Sequence, residues 1–119
     1  KMSNYGVEFP NVIDFVSHNE DVCNLHVVQF EFLTDELLLK LQDKLNHYLA
    51  YALDGQLEAE FPDLPKLQIR IQLWLAQEPD DDTLKFLDKA AYACSVEGVE
   101  FITEMGAPAF DNQPLKNTV

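Results

Sequence analysis

Large apolar residues recur along this chain with two different periods, and the change from one to the other marks its elements. The run Val12-Ile13-Asp14-Phe15-Val16 is short and rich in β-formers, and it is stopped by Ser17-His18-Asn19-Glu20-Asp21, whose residue types favour a turn. A second β-rich run, Val22 to Phe32, follows at once, so the two predict an antiparallel hairpin. Leu25 and Val27 share one face of that run while Phe30 and Phe32 have the opposite parity, which predicts a bulge near Val28 and Gln29.

From Thr34 the spacing becomes helical. Thr34 offers an N-cap hydroxyl, Asp35 and Glu36 complement the positive end of the helix dipole, and Leu33 is placed to staple against Leu38. Leu37, Leu38, Leu41, Leu45, Tyr48, Leu49 and Ala52 recur along one stripe, and Gly55 supplies a left-handed stop, so a helix is expected from Asp35 to Asp54. A loop, Gln56 to Pro65, then leads to the most regular alternation in the chain. Leu67, Ile69, Ile71, Leu73 and Leu75 oppose Gln68, Arg70, Gln72 and Trp74, as in a strand with one buried face. Glu78-Pro79-Asp80-Asp81-Asp82 starts a second helix that carries Leu84, Phe86, Leu87, Ala90, Ala91 and Cys94 and stops at Gly98. Val99 to Thr103 closes as a last strand.

The order ββαβαβ predicts an α/β two-layer sandwich, a four-stranded mixed sheet with two helices on one face, because right-handed crossovers put both helices on the same side. The sheet face carrying Gln68, Arg70, Gln72 and Trp74 is then left to water, a tail or a partner. Residues 1–10 are expected as a flexible N-terminal segment, 11–104 as a single α/β domain and 105–119 as a C-terminal tail, since the ends carry Gly6, Pro10, Gly106, Pro108 and Pro114 and few large apolar residues.

Composition narrows the function classes. At 119 residues and 47% hydrophobic content the chain can bury roughly two-thirds of its unfolded surface, enough for a core without disulfide or metal staples. Eight basic against 21 acidic residues give a formal net charge of -13, which repels phosphate backbones and anionic membranes and favours a basic protein partner. No apolar run is long enough to span a bilayer, and Lys1 to Pro10 lacks the basic and then apolar regions of a secretory leader, so a cytoplasmic location is expected.

Candidate chemistry is sparse. Cys23 and His26 form a C-x-x-H pair, but an offset of three on a strand sends the side chains to opposite faces. Cys94 lies on the apolar stripe of the second helix, where a free thiol packs as a small hydrophobe. Neither His18 nor His47 has a Ser, Cys or carboxylate arrangement of the nucleophile-and-base kind, and Gly6, Gly55, Gly98 and Gly106 form no phosphate loop. No catalytic activity, metal or cofactor is expected. The carboxylates concentrate in two places, Asp54, Glu58, Glu60 and Asp63 after the first helix and Glu78, Asp80, Asp81 and Asp82 before the second. The topology puts them at opposite ends of the sheet. Asp80 to Asp82 suit helix capping and solubility as well as docking, and Trp74 suits either a cover by a tail residue such as Phe110 or an exposed anchor.

The segment Val12-Ile13-Asp14-Phe15-Val16-Ser17-His18, the helix segment Leu45-Asn46-His47-Tyr48-Leu49-Ala50-Tyr51 and the loop Asp54-Gly55-Gln56-Leu57 resemble a family of small bacterial domains of unknown function over residues 10–103. That resemblance implies the fold and a bacterial origin and brings no catalytic residues. In general character, being small, acidic and poor in cysteine, the chain is also similar to the immunity proteins of contact-dependent and polymorphic toxin systems. The expected function is therefore a cytoplasmic immunity-type protein that covers the basic active-site surface of a cognate toxin domain, a nuclease. Its contacts would come from Glu58, Glu60, Asp63, Trp74, Glu78, Asp80, Asp81 and Asp82. The alternative is a housekeeping or structural domain that forms a homodimer through the open sheet face.

Overall fold

Two β-strands, β1 (Phe15–His18) and β2 (Val22–Gln29), are followed by the helices α1 (Asp35–Leu53) and α2 (Gln56–Glu60), the strand β3 (Gln68–Leu75), the helix α3 (Asp81–Val96) and the strand β4 (Glu100–Met105). The structure is a computed structural model and describes residues 6–62 and 68–106. The strands form one mixed sheet in the order β1-β2-β3-β4, with β1 antiparallel to β2 and the other two pairs parallel. The expected hairpin is present. Its turn is closed by the Asn19 side-chain oxygen, which accepts from the amides of Asp21 and Val22.

Alternation decides which side of the sheet is the core. Cys23, Leu25 and Val27 of β2, Ile71, Leu73 and Leu75 of β3 and Phe101 of β4 are buried, and Leu38, Leu41, Leu45 and Tyr48 of α1 with Leu87 and Cys94 of α3 join them in one apolar cluster. Leu45 and Leu49 of α1 and Phe86, Ala90 and Cys94 of α3 also line a common groove of about 330 Å³, so the two long helices lie side by side. Both begin at the expected caps. The Thr34 hydroxyl accepts from the Leu37 amide, and the Asp80 carboxylate accepts from the Thr83 amide at 2.8 Å.

The structure departs from the sequence reading in four places. Gln56 to Glu60 is a short helix where a loop was expected, so the order is ββααβαβ. Gly55, at φ 100°, ends α1 and reverses the chain, and Leu57 then anchors the new turn by complete burial. No bulge interrupts β2, which pairs with β3 in continuous register from Val22 to Gln29. The strand ends there, so the parity of Phe30 and Phe32 no longer matters and both are exposed. The last strand extends to Met105, inside the stretch expected as a tail. The first strand begins at Phe15, three residues later than expected, because the chain before it has another task.

That task is to close the edge of β2. The β1 pairing reaches only His26, so residues 27–29 of β2 have no strand beside them on that side. The segment from Gly6 to Asp14, expected as flexible up to Pro10, takes the place of a strand there. Asp14 Oδ2 accepts from the amides of Val28 (2.9 Å) and Gly6 (3.1 Å), and the Val7 amide donates to Gln29 Oε1 at 3.0 Å. Lys44, fully buried in α1, donates from Nζ to Asp14 Oδ1 (2.6 Å) and to the carbonyls of Gly6 (2.8 Å) and Phe9 (3.0 Å). The Tyr48 hydroxyl completes the knot by accepting from the Asp14 amide and donating to the His26 carbonyl. Gly6 is required by the fit: its φ is 107° and a Cβ would meet Gln29 Oε1 at 3.1 Å.

Burial pushes the Asp14 carboxyl up and the Lys44 ammonium down, and their mutual contact opposes both shifts. Removing one partner leaves the other buried without compensation. Lys44→Ala is expected to lower stability by about 3–5 kcal/mol, with part of the loss recovered in Asp14→Asn/Lys44→Met. Urea denaturation followed by Trp74 fluorescence measures both. A loss below about 1 kcal/mol for Lys44→Ala would mean that the ion pair is hydrated and does not hold the segment.

Candidate docking surfaces

Parallel strands bring the starts of their following helices to one end of the sheet, which is where α/β sheets place binding surfaces. Gln29, Leu75 and Met105 are register partners in a row across the carboxyl ends of β2, β3 and β4. The next row is also tied, by the Ala76 amide to the Gln29 carbonyl (3.1 Å) and the Gly106 amide to the Leu75 carbonyl (2.7 Å). Phe30 leaves this row at 54% exposure and Phe32 follows at 39%, and Met105, two strands away in the same row, is also exposed. The same end of the sheet carries the exposed carboxylates Glu31, Asp35 and Glu36 from the β2–α1 link and helix start, Glu78, Asp81 and Asp82 from the β3–α3 link and helix start, and Glu104 from β4.

The expected docking residues separate accordingly. Glu78, Asp80, Asp81 and Asp82 lie at this end. Asp80 is committed to the helix cap, and its bond from the Thr83 amide holds its carboxyl below the usual carboxylate range. Glu58 and Glu60 lie on α2, which precedes β3 and so sits at the other end of the sheet; Glu60 accepts from the Tyr51 hydroxyl at 2.8 Å. Asp63 and Phe110 lie outside the described residues. Asp35, Glu36 and Glu31, which sequence reasoning treated only as helix-dipole partners or passed over, are the ones that the fold adds to Asp81 and Asp82. The signal was available in principle, because adjacent parallel strands force their two helix starts together.

Trp74 belongs to the sheet face that no described helix covers. Register places on that face Phe15 and Ser17 of β1, Asn24, His26 and Val28 of β2, Arg70, Gln72 and Trp74 of β3, and Glu100, Ile102 and Glu104 of β4. The Trp74 indole N–H donates to His26 Nδ1 at 2.9 Å, His26 Nε2 lies 2.8 Å from Ser17 Oγ, and the Phe15 ring packs on His26 with centroids 4.9 Å apart. Sequence reasoning passed over His26 as half of a weak C-x-x-H pair. The structure puts Cys23 in the core and His26 on the opposite face, and among the described residues no group of three or more His, Cys, Asp or Glu side chains could hold a metal.

The chemistry of this relay follows from its donors. An indole N–H can only donate, so Nδ1 of the neutral ring is the acceptor, Nε2 carries the proton, and Nε2–H donates to Ser17 Oγ. In that tautomer His26 does not accept the Ser17 proton, so the pair lacks the arrangement of a nucleophile and its base. Burial pushes the His26 pKa down to about 4, which keeps the ring neutral at physiological pH. Burial also pushes the thiols of Cys23 and Cys94 up to about 11, so both remain protonated core groups. On the same face Asn24 Oδ1 is buried without a partner among the described residues. Among those residues, too, no helix is long and apolar enough to cross a membrane.

The model of a family of unknown function, DUF6572, matches residues 5–107, and the chain belongs to that family. No curated protein matches the chain. No solved structure matches it either.

The His26 environment makes stability depend on pH with a definite sign. The unfolded ring titrates near 6.5 and the folded ring near 4, so between these values the unfolded chain binds more protons. The contribution of neutral His26 is complete above pH 6.5, declines as pH falls toward 4 and levels off below it, a loss on the order of 3 kcal/mol. Denaturation at pH 7 and pH 4.5 checks this. His26→Gln should remove that part of the difference; an unchanged pH dependence would show that other groups govern it.

Proposed function

We propose that this member of a family of unknown function is an acidic, cytoplasmic binding protein of the immunity type, which neutralises a cognate bacterial toxin domain by covering a basic active-site surface. The observation that carries this reading is that exposed carboxylates from three segments, Glu31, Asp35 and Glu36, then Glu78, Asp81 and Asp82, and finally Glu104, lie at the same end of the sheet as the exposed rings of Phe30 and Phe32. Apolar anchors inside a charged rim are the arrangement from which a protein interface draws affinity at the centre and fast, oriented association at the edge. A nuclease domain fits as the target because its own ligand is a polyanion, and a carboxylate array at a net charge of -13 competes for the same basic surface.

Within this reading Asp81 and Asp82 face the partner and Asp80 holds the helix start. Trp74 stands one register step before the row that leads into Phe30, at the edge of the contact. Glu58 and Glu60 belong to a second region after α1 and contribute long-range steering.

The test is a binding and inhibition assay with the toxin domain encoded beside the gene. Co-elution, suppression of the toxin's activity and weaker binding at higher salt are expected. Asp81→Lys/Asp82→Lys should weaken binding by roughly tenfold or more, and Phe30→Ala by a similar factor. Glu58→Lys should change mainly the association rate. Absence of co-elution at low salt together with undiminished toxin activity would overturn the proposal.

A further inference from the structure

We infer that the outer edge of β4 is a binding site for an extended protein segment with alternating basic and apolar side chains, which adds to the sheet as a fifth strand. The inference rests on the reading above for the sign of the partner's charge, and it adds the element through which such a partner is held.

Where β1 stops short, the amino-terminal segment and Asp14 take up the backbone groups at the β2 edge. Nothing among the described residues does the same for β4, which pairs only with β3 and is the longer edge strand, with six residues against four in β1. The Gly106 amide donates to the Leu75 carbonyl and so points at β3, and backbone groups point to alternate sides along a strand. Glu104, Ile102 and Glu100 therefore face β3. The N–H and C=O groups of Phe101, Thr103 and Met105 face outward, with no bonding partner among the described residues. Such a row of donors and acceptors is a template for another strand.

The side chains beside this edge define the strand that fits. On the open face of the sheet Glu100 is bonded to Arg70, whereas Glu104 is exposed and stands in register with Trp74, away from any cation. Antiparallel addition puts Glu104 in a non-hydrogen-bonded pair, the closer of the two kinds, so a lysine or arginine opposite it is favoured.

On the helix face the requirement is apolar. Met105 is 53% exposed there, and Leu84, 47% exposed, lies at the same end of the sheet on the flank of α3 turned away from the groove shared with α1. Because α1 joins β2 to β3 and α3 joins β3 to β4, that flank is on the β4 side. An apolar side chain of the added strand covers both residues, and Asp88, exposed one turn beyond Leu84, sets a second carboxylate along the edge. A second copy of β4 fits less well. With Ile102 opposite Ile102, each Glu100 faces a Glu104, and both chains carry a net charge of -13.

Amide NMR of the full chain, titrated with a capped hexapeptide of alternating lysine and valine, tests this. Saturable binding with a dissociation constant of about 1 mM or tighter is expected, with shifted resonances and slowed hydrogen exchange at the Phe101, Thr103 and Met105 amides. The same peptide N-methylated throughout keeps its charge and loses its donors, and it should bind at least about tenfold more weakly. Thr103→Pro removes one outward amide and no bond to β3, a change that an edge strand tolerates, and should weaken the unmethylated peptide by at least about fivefold. Glu104→Lys should weaken it by roughly fivefold, and Asp43→Lys, the same change of charge at an exposed site on α1, by less. No saturable binding, equal binding of the methylated peptide, or edge amides that neither shift nor slow would overturn the inference. The basic-partner proposal would then still stand, because the toxin assay decides it separately.

Discussion

The contact between Asp14 and Lys44 is the constraint around which the rest of the molecule is arranged. Both side chains are withdrawn from water, and the cost of that is offset because all three Lys44 donors and both Asp14 oxygens are engaged. Asp14 accepts from Lys44 and two amides, and Lys44 donates to Asp14 and two carbonyls. The network thereby joins three separate parts of the chain: the segment before β1, the exposed edge of β2 and the middle of α1. A sheet whose first strand stops at His26 would otherwise leave the Val28 amide unpaired at its edge. The ion pair is thus less a source of stability than a device that fixes where the amino-terminal segment lies.

With the β2 edge closed by a loop in place of a longer strand, the sheet grows in the other direction, through parallel β3 and β4. That choice has a geometric consequence for charge. Parallel strands return through helices, so α1 and α3 both begin at the carboxyl ends of the strands, and helix starts favour acidic residues through their dipoles and caps. Asp35, Glu36, Asp81 and Asp82 are each explained locally by that rule, yet together they make a concentrated anionic surface that no one helix would produce. Phe30 and Phe32 are left exposed at that end of the sheet because β2 ends at Gln29.

The opposite sheet face has the complementary character. Its middle row lacks charge, and its one histidine is kept neutral by burial and oriented by the Trp74 indole, which fixes the tautomer and directs Nε2–H to Ser17.

Much of the architecture was legible in the chain's own pattern. Alternation over Ile69 to Leu75 located the central strand and assigned Trp74 to the uncovered face, and Thr34, Asp80 and Gly55 marked helix ends because capping depends on residues adjacent in sequence. Four parallel or antiparallel strands with two long helices followed from that order and the handedness of crossovers. The short helix Gln56–Glu60 is not legible because one turn has no periodicity to read, and Val12 and Ile13 read as strand because β-propensity does not register a neighbour that is not there. Lys44 gave a sign that could have been read: it occupies an apolar stripe between Leu41 and Tyr48, where only a buried partner permits a cation. Which partner it has, and that His26 meets Trp74 across 48 residues and Ser17 across nine, were decided by tertiary structure alone. Local sequence determines what depends on neighbours along the backbone, periodicity and caps. The pairing of distant polar groups depends on strand register and crossover, which bring together residues whose separation in sequence carries no trace of their distance in space.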